Sequence, residues 1–275
     1  MKVEPAQMSK LLSDPLSYPF DIPRCSYALA DGQTRYADRH LRMEKNQLQF
    51  SSILSALSSV IPPRSKIVRP VGLLTCGSNA SPTRLSGKLA TETVREAIAI
   101  RLELAGWVPV YAATVTMYGA IPATFEWLPG CPAEPFLVVT DMANLTSIIA
   151  SERGNYDVYR VTAASTGLGC DFPVVSFVSH YGSLQIHGEL ALLKEFQPEE
   201  TPAQSCDQRN VLQIALRLLG FDLTLEQFRF RVQSDRRFFE DIRGAVRTRL
   251  GKISNVPGWI RVQDHELSRI QSYYN

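Results

Sequence analysis

The stretch LLTCGSNASPTRL, residues 73–85, decides the reading of this chain. An apolar, strand-like run stops on Gly77, Ser78 and Asn79 and then meets Ser81-Pro82. A loop of small residues at the end of a strand leaves backbone N–H groups pointing outward, where they can hold a carboxylate, a phosphate or an oxyanion. Gly77 permits positive φ, Ser78 adds a hydroxyl, and Asn79 tolerates a left-handed conformation. The alternative is an ordinary turn with no ligand.

Downstream, from Ile67 to Phe196, short apolar runs rich in Val, Tyr, Phe and Thr are separated by Gly and Pro signals, among them VGLLT, WVPVYAATVTM, FLVVT, YDVYRVTAA and VVSFVS. They are too closely spaced for a crossover helix between each pair. An antiparallel or mixed β-barrel of the α+β class therefore fits better than a doubly wound sheet. One helix is expected inside this region, over TETVREAIAIRLELAG, with Thr93 and Glu96 at capping-box spacing and Gly106 as its stop. Residues 1–66 read as an N-terminal arm with one helix from about Met43 to Val60. Residues 197–275 read as a helical C-terminal extension, with 67–196 as the barrel domain.

In that extension Val211, Ile214, Leu218 and Leu219 share one helix face closed by Gly220. Phe239, Ile242, Val246 and Leu250 form the stripe of a second helix with Ser234 as N-cap, and Asp264 starts a last one. The segment 226–252 interleaves arginines with Phe228, Phe230, Phe238 and Phe239, but Glu226, Asp235, Glu240 and Asp241 dilute its charge. It reads as a packed helical subdomain, a lid over a pocket or a protein-partner surface, rather than as a nucleic-acid site.

The 275 residues carry a net charge of +2, with 45% hydrophobic and 20% charged residues, which singles out neither nucleic acid nor a membrane surface. Five cysteines, an odd number with no CxxC pair, read as reduced thiols of an intracellular protein. The first residues lack the apolar core of a signal peptide, no run of 18 apolar residues occurs, and a cytoplasmic protein is expected. No His and Cys cluster stands at metal spacing, and STGLGCDF lacks the lysine and strand–helix context of a nucleotide loop, so neither metal nor cofactor is implied.

Residues 71–162 resemble the γ-glutamylcyclotransferase-like family in the order of their segments. Cys76, Gly77, Ser78 and Asn79 correspond to its Tyr-Gly-Ser-Asn loop. Gly119, Ala123, Thr124, Pro129 and Gly130 correspond to its Gly-x-x-Ala-Thr strand and following Pro-Gly. FLVVTDMANLTSIIASERGNYDVYRV places Glu152 at its catalytic glutamate and Tyr156 just after it. The resemblance implies a metal-independent enzyme, a lyase or transferase releasing 5-oxoproline from a γ-glutamyl amide. Glu152 would then be general acid and base, and Cys76–Asn79 and Tyr156 would line the substrate.

In such an amide the substrate's own α-amine attacks its γ-carbonyl, so proximity is built in. The protein must add one carboxylate for both proton transfers and N–H donors for the oxyanion. Read without the resemblance, Glu152 is a solvated residue at a helix end, paired with Arg153. Cys76 departs from the family's tyrosine. It opens a second chemistry, a thiolate nucleophile with His180 or His187 as base, and a second class of function, a non-catalytic small-molecule-binding or scaffold protein that keeps the fold. Arg84 reads either as a ligand for an acidic substrate or as a solvated residue at a helix start.

Overall fold

The computed structural model describes residues 14–38, 43–62, 65–89, 95–198, 205–263 and 266. Tyr27–Ala30 (β1) and Gln33–Tyr36 (β2) form a hairpin. Its two-residue turn, Asp31-Gly32, has φ of 52° and 72°, the pair of positive values that matches the twist of antiparallel strands. The helix expected over 43–60 is only Phe50–Ala56 (α1), preceded by a single 3-10 turn at Lys45–Gln47.

Val71–Thr75 (β3) is buried at all five residues. After the helix Pro82–Lys88 (α2) come the strands Ala97–Arg101 (β4), Leu104–Tyr111 (β5), Ala123–Ala133 (β6) and Phe136–Thr140 (β7). Met142–Glu152 (α3), Tyr156–Arg160 (β8), the one-turn helix Ala163–Thr166 (α4) and Val174–Ser179 (β9) follow. Three short strands, Ser183–Ile186 (β10), Glu189–Leu190 (β11) and Leu192–Leu193 (β12), lead to Ser205–Cys206 (β13). The helices Gln208–Leu219 (α5), Leu225–Ser234 (α6) and Arg236–Leu250 (α7) precede Gly251–Lys252 (β14) and Ile260–Arg261 (β15).

The class is mixed α+β, but the described residues form no closed barrel. The main sheet has eight strands in the order β15-β8-β9-β3-β7-β4-β1-β2, and a separate four-stranded sheet runs β13-β12-β5-β6. Closure needs two edge strands that pair with each other. Here one edge is β2, whose Gln33, Arg35 and Tyr36 are exposed, and the other is the two-residue β15, also exposed. Both edges are short and polar or half-solvated, which is how open sheets avoid further pairing.

The helix expected over 93–106 is a second correction. Ala97–Arg101 is a fully buried strand between β1 and β7, and Glu96, instead of capping a helix, accepts the Lys66 N–H at 2.8 Å. Thr93 lies outside the described residues. An apolar run buried on both faces carries no alternation, so its pattern does not separate strand from helix, and sheet pairing decides. Alternate residues of β4 feed opposite cores: Ala97 and Ala99 pack with Leu73 and Leu145, Ile98 and Ile100 with Leu74 and Ile53. Gly106 stops no helix. It has φ of 87° at a bulge in β5, where the Trp127 ring covers it.

Helices stand where the C-terminal pattern expects them, but of the face expected for α5 only Val211 and Leu219 are buried, Ile214 and Leu218 being half-buried while Leu212, Ala215 and Leu216 complete the buried side. Asp207 caps α5 and Gly220, with φ of 79°, closes it, while Thr224 and Gln227 form a capping box on α6. The N-cap of α7 is Asp235 rather than Ser234, and Phe239, Ile242 and Val246 are its buried stripe. Asp264 lies outside the described residues. No described helix is long and apolar enough to cross a membrane.

The chain upstream of β1 is fastened to the turn after β3. Tyr18 is buried and its hydroxyl accepts the Ala123 N–H at 2.7 Å. Ser81 Oγ donates to Asp21 Oδ1 at 3.0 Å, and Tyr27 Oη donates to the Ala80 carbonyl at 3.0 Å. Gly77 has φ of 73°, and a Cβ there would lie 2.2 Å from the Tyr18 hydroxyl oxygen. Gly77→Ala therefore combines left-handed strain with overpacking and is expected to cost about 2 kcal/mol or more in urea unfolding. Because Tyr18→Phe removes the clashing oxygen, the double variant should be less destabilised than the sum of the two single changes. Strict additivity would show that this contact does not carry the strain.

Candidate functional site

Strand β7 runs antiparallel to β3, so Thr140 lies beside Val71 and the chain leaves β7 at the far end from the Gly77 turn. Asp141 then caps α3, accepting the Asn144 N–H at 2.8 Å. A helix of 11 residues climbs about 16 Å and a strand of five about the same, so α3 returns its last residue to the level of the turn. Leu145, Ile148 and Ile149 are buried, and Glu152 stands on their face at i+3, i+4 and i+7 spacing. Topology and helix phase together bring residue 152 to residues 77–79.

The contacts there are direct. Asn79 Nδ2 donates to Glu152 Oε1 at 3.1 Å. Lys88, in the last turn of α2, donates through Nζ to Asn79 Oδ1 at 2.7 Å and forms a short ion pair with Glu152 Oε1. The three side chains make a closed triangle of hydrogen bonds. Its two charges are largely withdrawn from solvent, the Lys88 and Glu152 side chains being 17% and 13% exposed. The carboxylate's other oxygen, Oε2, makes no hydrogen bond among the described residues. Glu152 is thus neither solvated nor paired with Arg153.

A cavity of about 420 Å³ opens beside this triangle, within the range of roughly 300–1,000 Å³ usual for small-molecule sites. Cys76, Ser78, Asn79, Glu152 and Tyr156 all line it. Gly77 is buried under Tyr18 and is not among the lining residues. The turn is a 3-10 segment, Gly77–Ala80, so its first N–H groups have no partner inside it.

The Ala123 peptide groups hold two phenols at the cavity. The Tyr156 hydroxyl donates to the Ala123 carbonyl at 2.9 Å, so its proton is committed and only its lone pairs face a ligand. Tyr18 accepts the N–H of the same residue and makes no other hydrogen bond among the described residues, which leaves its own proton to give. Burial holds both phenols well above their ordinary pKa, so both stay protonated near neutrality.

The Cys–His chemistry finds no support in the geometry. His180 Nε2 lies 3.0 Å from Asp157 Oδ1, His187 sits in the β10–β11 turn, and neither lines the cavity. Burial pushes the Cys76 thiol far above its usual range, the opposite of activation. Among the described residues no three His, Cys, Asp or Glu side chains converge on a point where a metal would sit.

Sequence reading passed over Lys88 and Tyr18 and took Arg243 only as one of the arginines of the 226–252 segment; all three line the cavity. For Lys88 a signal exists. Ser81 followed by Pro82 starts a helix, and seven residues on its last turn is where a cation suits the dipole. Tyr18 comes from a segment distant in sequence with no local pattern to point to it, whereas Arg243 lies in the 226–252 segment, one of whose readings was a lid over a pocket.

No protein-family model matches the sequence, and no curated protein matches it. Among solved structures, one described as "Gamma-glutamyl cyclotransferase" is 12% identical, covering 74% of this chain and 99% of that one at a TM-score of 0.32. An uncharacterized protein from Homo sapiens is 13% identical, with the same coverage and a TM-score of 0.31. At these scores the functional reading rests on the site's own geometry.

With its pKa raised, Cys76 should resist iodoacetamide at pH 8 in the folded protein and react only after denaturation, as read by mass spectrometry of the alkylated peptides. Fast alkylation of Cys76 in the native state would return the thiolate chemistry to consideration.

Proposed function

We propose that the protein is an enzyme that cleaves or transfers a γ-glutamyl or related amide, with Glu152 moving the protons. The observation that carries this reading is the hydrogen bond between Asn79 of the turn and Glu152 of α3, on the wall of one cavity. The collinear motifs of residues 71–162 support it.

The chemistry fits the groups in place. The substrate's α-amine forms a bond to its own γ-carbonyl carbon, the amide C–N bond at that carbon breaks, and one proton passes from the attacking nitrogen to the departing one. Glu152 carries that proton through Oε2, while Lys88 and Asn79 hold Oε1 and fix the carboxylate's orientation. The N–H groups at the start of the Gly77–Ala80 turn, which have no partner inside it, and the free proton of Tyr18 are the donors for the substrate carboxylate or the oxyanion. No water is consumed, and the products are 5-oxoproline and a free amine.

A second reading, a small-molecule-binding protein without turnover, is favoured by one observation. Lys88 already occupies the oxygen of Glu152 that faces the turn. The two readings separate in one assay, 5-oxoproline release from a panel of γ-glutamyl amino acids, peptides and amines by wild type and Glu152→Gln. Release that falls by about 100-fold or more in the variant is expected for loss of general acid–base catalysis. Undiminished release in Glu152→Gln, or binding of these compounds without release by the wild type, would remove Glu152 from the chemistry.

A further inference from the structure

Helix α7 closes the cavity with Phe239, Glu240 and Arg243. Arg243 is half-buried and held on several sides. Its Nε donates to Thr114 Oγ1 at 3.3 Å, and its Nη2 donates to Asn155 Oδ1 at 3.4 Å and, over a short distance, to the Tyr181 hydroxyl. The guanidinium lies 4.4 Å from the Tyr181 ring centroid and 5.7 Å from that of Phe239. All of these partners are neutral. Among the described residues no carboxylate pairs with it, and Nη1 makes no hydrogen bond. Burial, and then the like charge of Arg247, lower its pKa from the ordinary arginine value. A guanidinium oriented by neutral groups, with both hydrogens of Nη1 uncommitted, is a preset cationic donor for an oxyanion.

Two further observations point the same way. Arg84, across the cavity wall, is stacked 4.6 Å from the Phe20 ring centroid, forms no ion pair among the described residues, and has a buried Nε with no partner. The cavity is lined by three cations, Arg84, Lys88 and Arg243, against two carboxylates, Glu152 and Glu240. One positive charge is therefore in excess. A ligand bearing one ammonium and two anionic groups would neutralise it.

We propose that Arg243 is a specificity-determining residue that grips a fixed negative charge on the departing half of the substrate. This rests on the amide-cleavage reading above. Asn155 links the grip to the reacting centre: its N–H donates to the Glu152 carbonyl at 3.0 Å while its side chain holds Arg243. The departing amine thus carries its own anion, a carboxylate or a phosphate ester, and is discriminated from neutral and cationic amines by a helix that lies outside the 71–162 segment.

The test uses γ-glutamyl amides matched in size, whose amine halves end in a carboxylate, a phosphate ester, a neutral carboxamide or an ammonium. Wild type, Arg243→Gln and Arg243→Lys are compared on kcat/KM, with thermal unfolding as a check on folding. The wild type should prefer the anionic amides, and Arg243→Gln should lower the anionic-to-neutral ratio by about 10- to 100-fold, mostly through KM. Arg243→Lys, which keeps the charge but loses the anchored planar donor, should fall between. The carboxylate and phosphate arms identify which anion is read. Turnover by the wild type with no preference for anionic amides would overturn the role of Arg243 while leaving amide cleavage intact. If nothing is turned over, calorimetric binding of the same four compounds decides: an anion preference lost in Arg243→Gln supports the grip without the chemistry, and equal or absent binding overturns it.

Discussion

The constraint on which the site depends is the enclosure of β3. It is paired antiparallel to β7 on one side and parallel to β9 on the other, and it is covered on both faces. Gly72 leaves no room for a side chain, since a Cβ there would lie 2.9 Å from Leu137 and 3.0 Å from Phe172. The Ser176 hydroxyl donates to the Leu74 carbonyl at 2.8 Å, adding a side-chain tie to the parallel ladder. A strand locked this way cannot shift register without turning its apolar residues to the wrong face. The turn that leaves it is therefore presented at a fixed height, and α3, which starts from the neighbouring strand, is placed against the same reference.

Around that stem the cavity is assembled from three separate stretches of chain. The arm contributes Tyr18, the central region contributes Asn79, Lys88 and Glu152, and α7 contributes Arg243. The charges are arranged unevenly. Glu152 and Lys88 satisfy each other at the inner wall, whereas Arg243 is satisfied only by dipoles and rings. The inner pair holds geometry. The outer cation has no charged partner among the described residues.

The sequence made much of this legible where the physics is local. The Gly220 close of α5, the apolar stripe of α7 and the runs that became β3, β7, β8 and β9 are read from periodicity and end signals alone, and the Gly77 turn and Glu152 were singled out in sequence, whereas α6 and its capping box were not separated from the rest of the 226–252 segment. What escaped reading was decided by distant contacts. AIAIR became a strand because β1 and β7 flank it, and the sheet stayed open because of how its two edges end. The Asp31-Gly32 hairpin was visible in principle, for an Asp-Gly pair is a strong turn signal, but four-residue strands around it gave little alternation to accompany it. Tyr18 had no signal, and Arg243 could not be told from the other arginines of its segment, since each gains its place only by packing against residues about a hundred positions away.

The segment that follows α7 is fastened back to the sheets. Gly251 and Lys252 pair with Leu184 and Ser183, the Asn255 N–H donates to the buried Glu126 carboxylate at 3.1 Å, and Ile260 and Arg261 pair with β8. Trp259 stacks on Trp107 with ring centroids 4.4 Å apart. The helix over the cavity is therefore a beam clamped by what comes after it, not a flap on a hinge. Molecules entering or leaving such a chamber pass between side chains, and rotamer changes at an exposed position such as Glu240 occur in nanoseconds or less, far faster than the microseconds to milliseconds of a swinging domain.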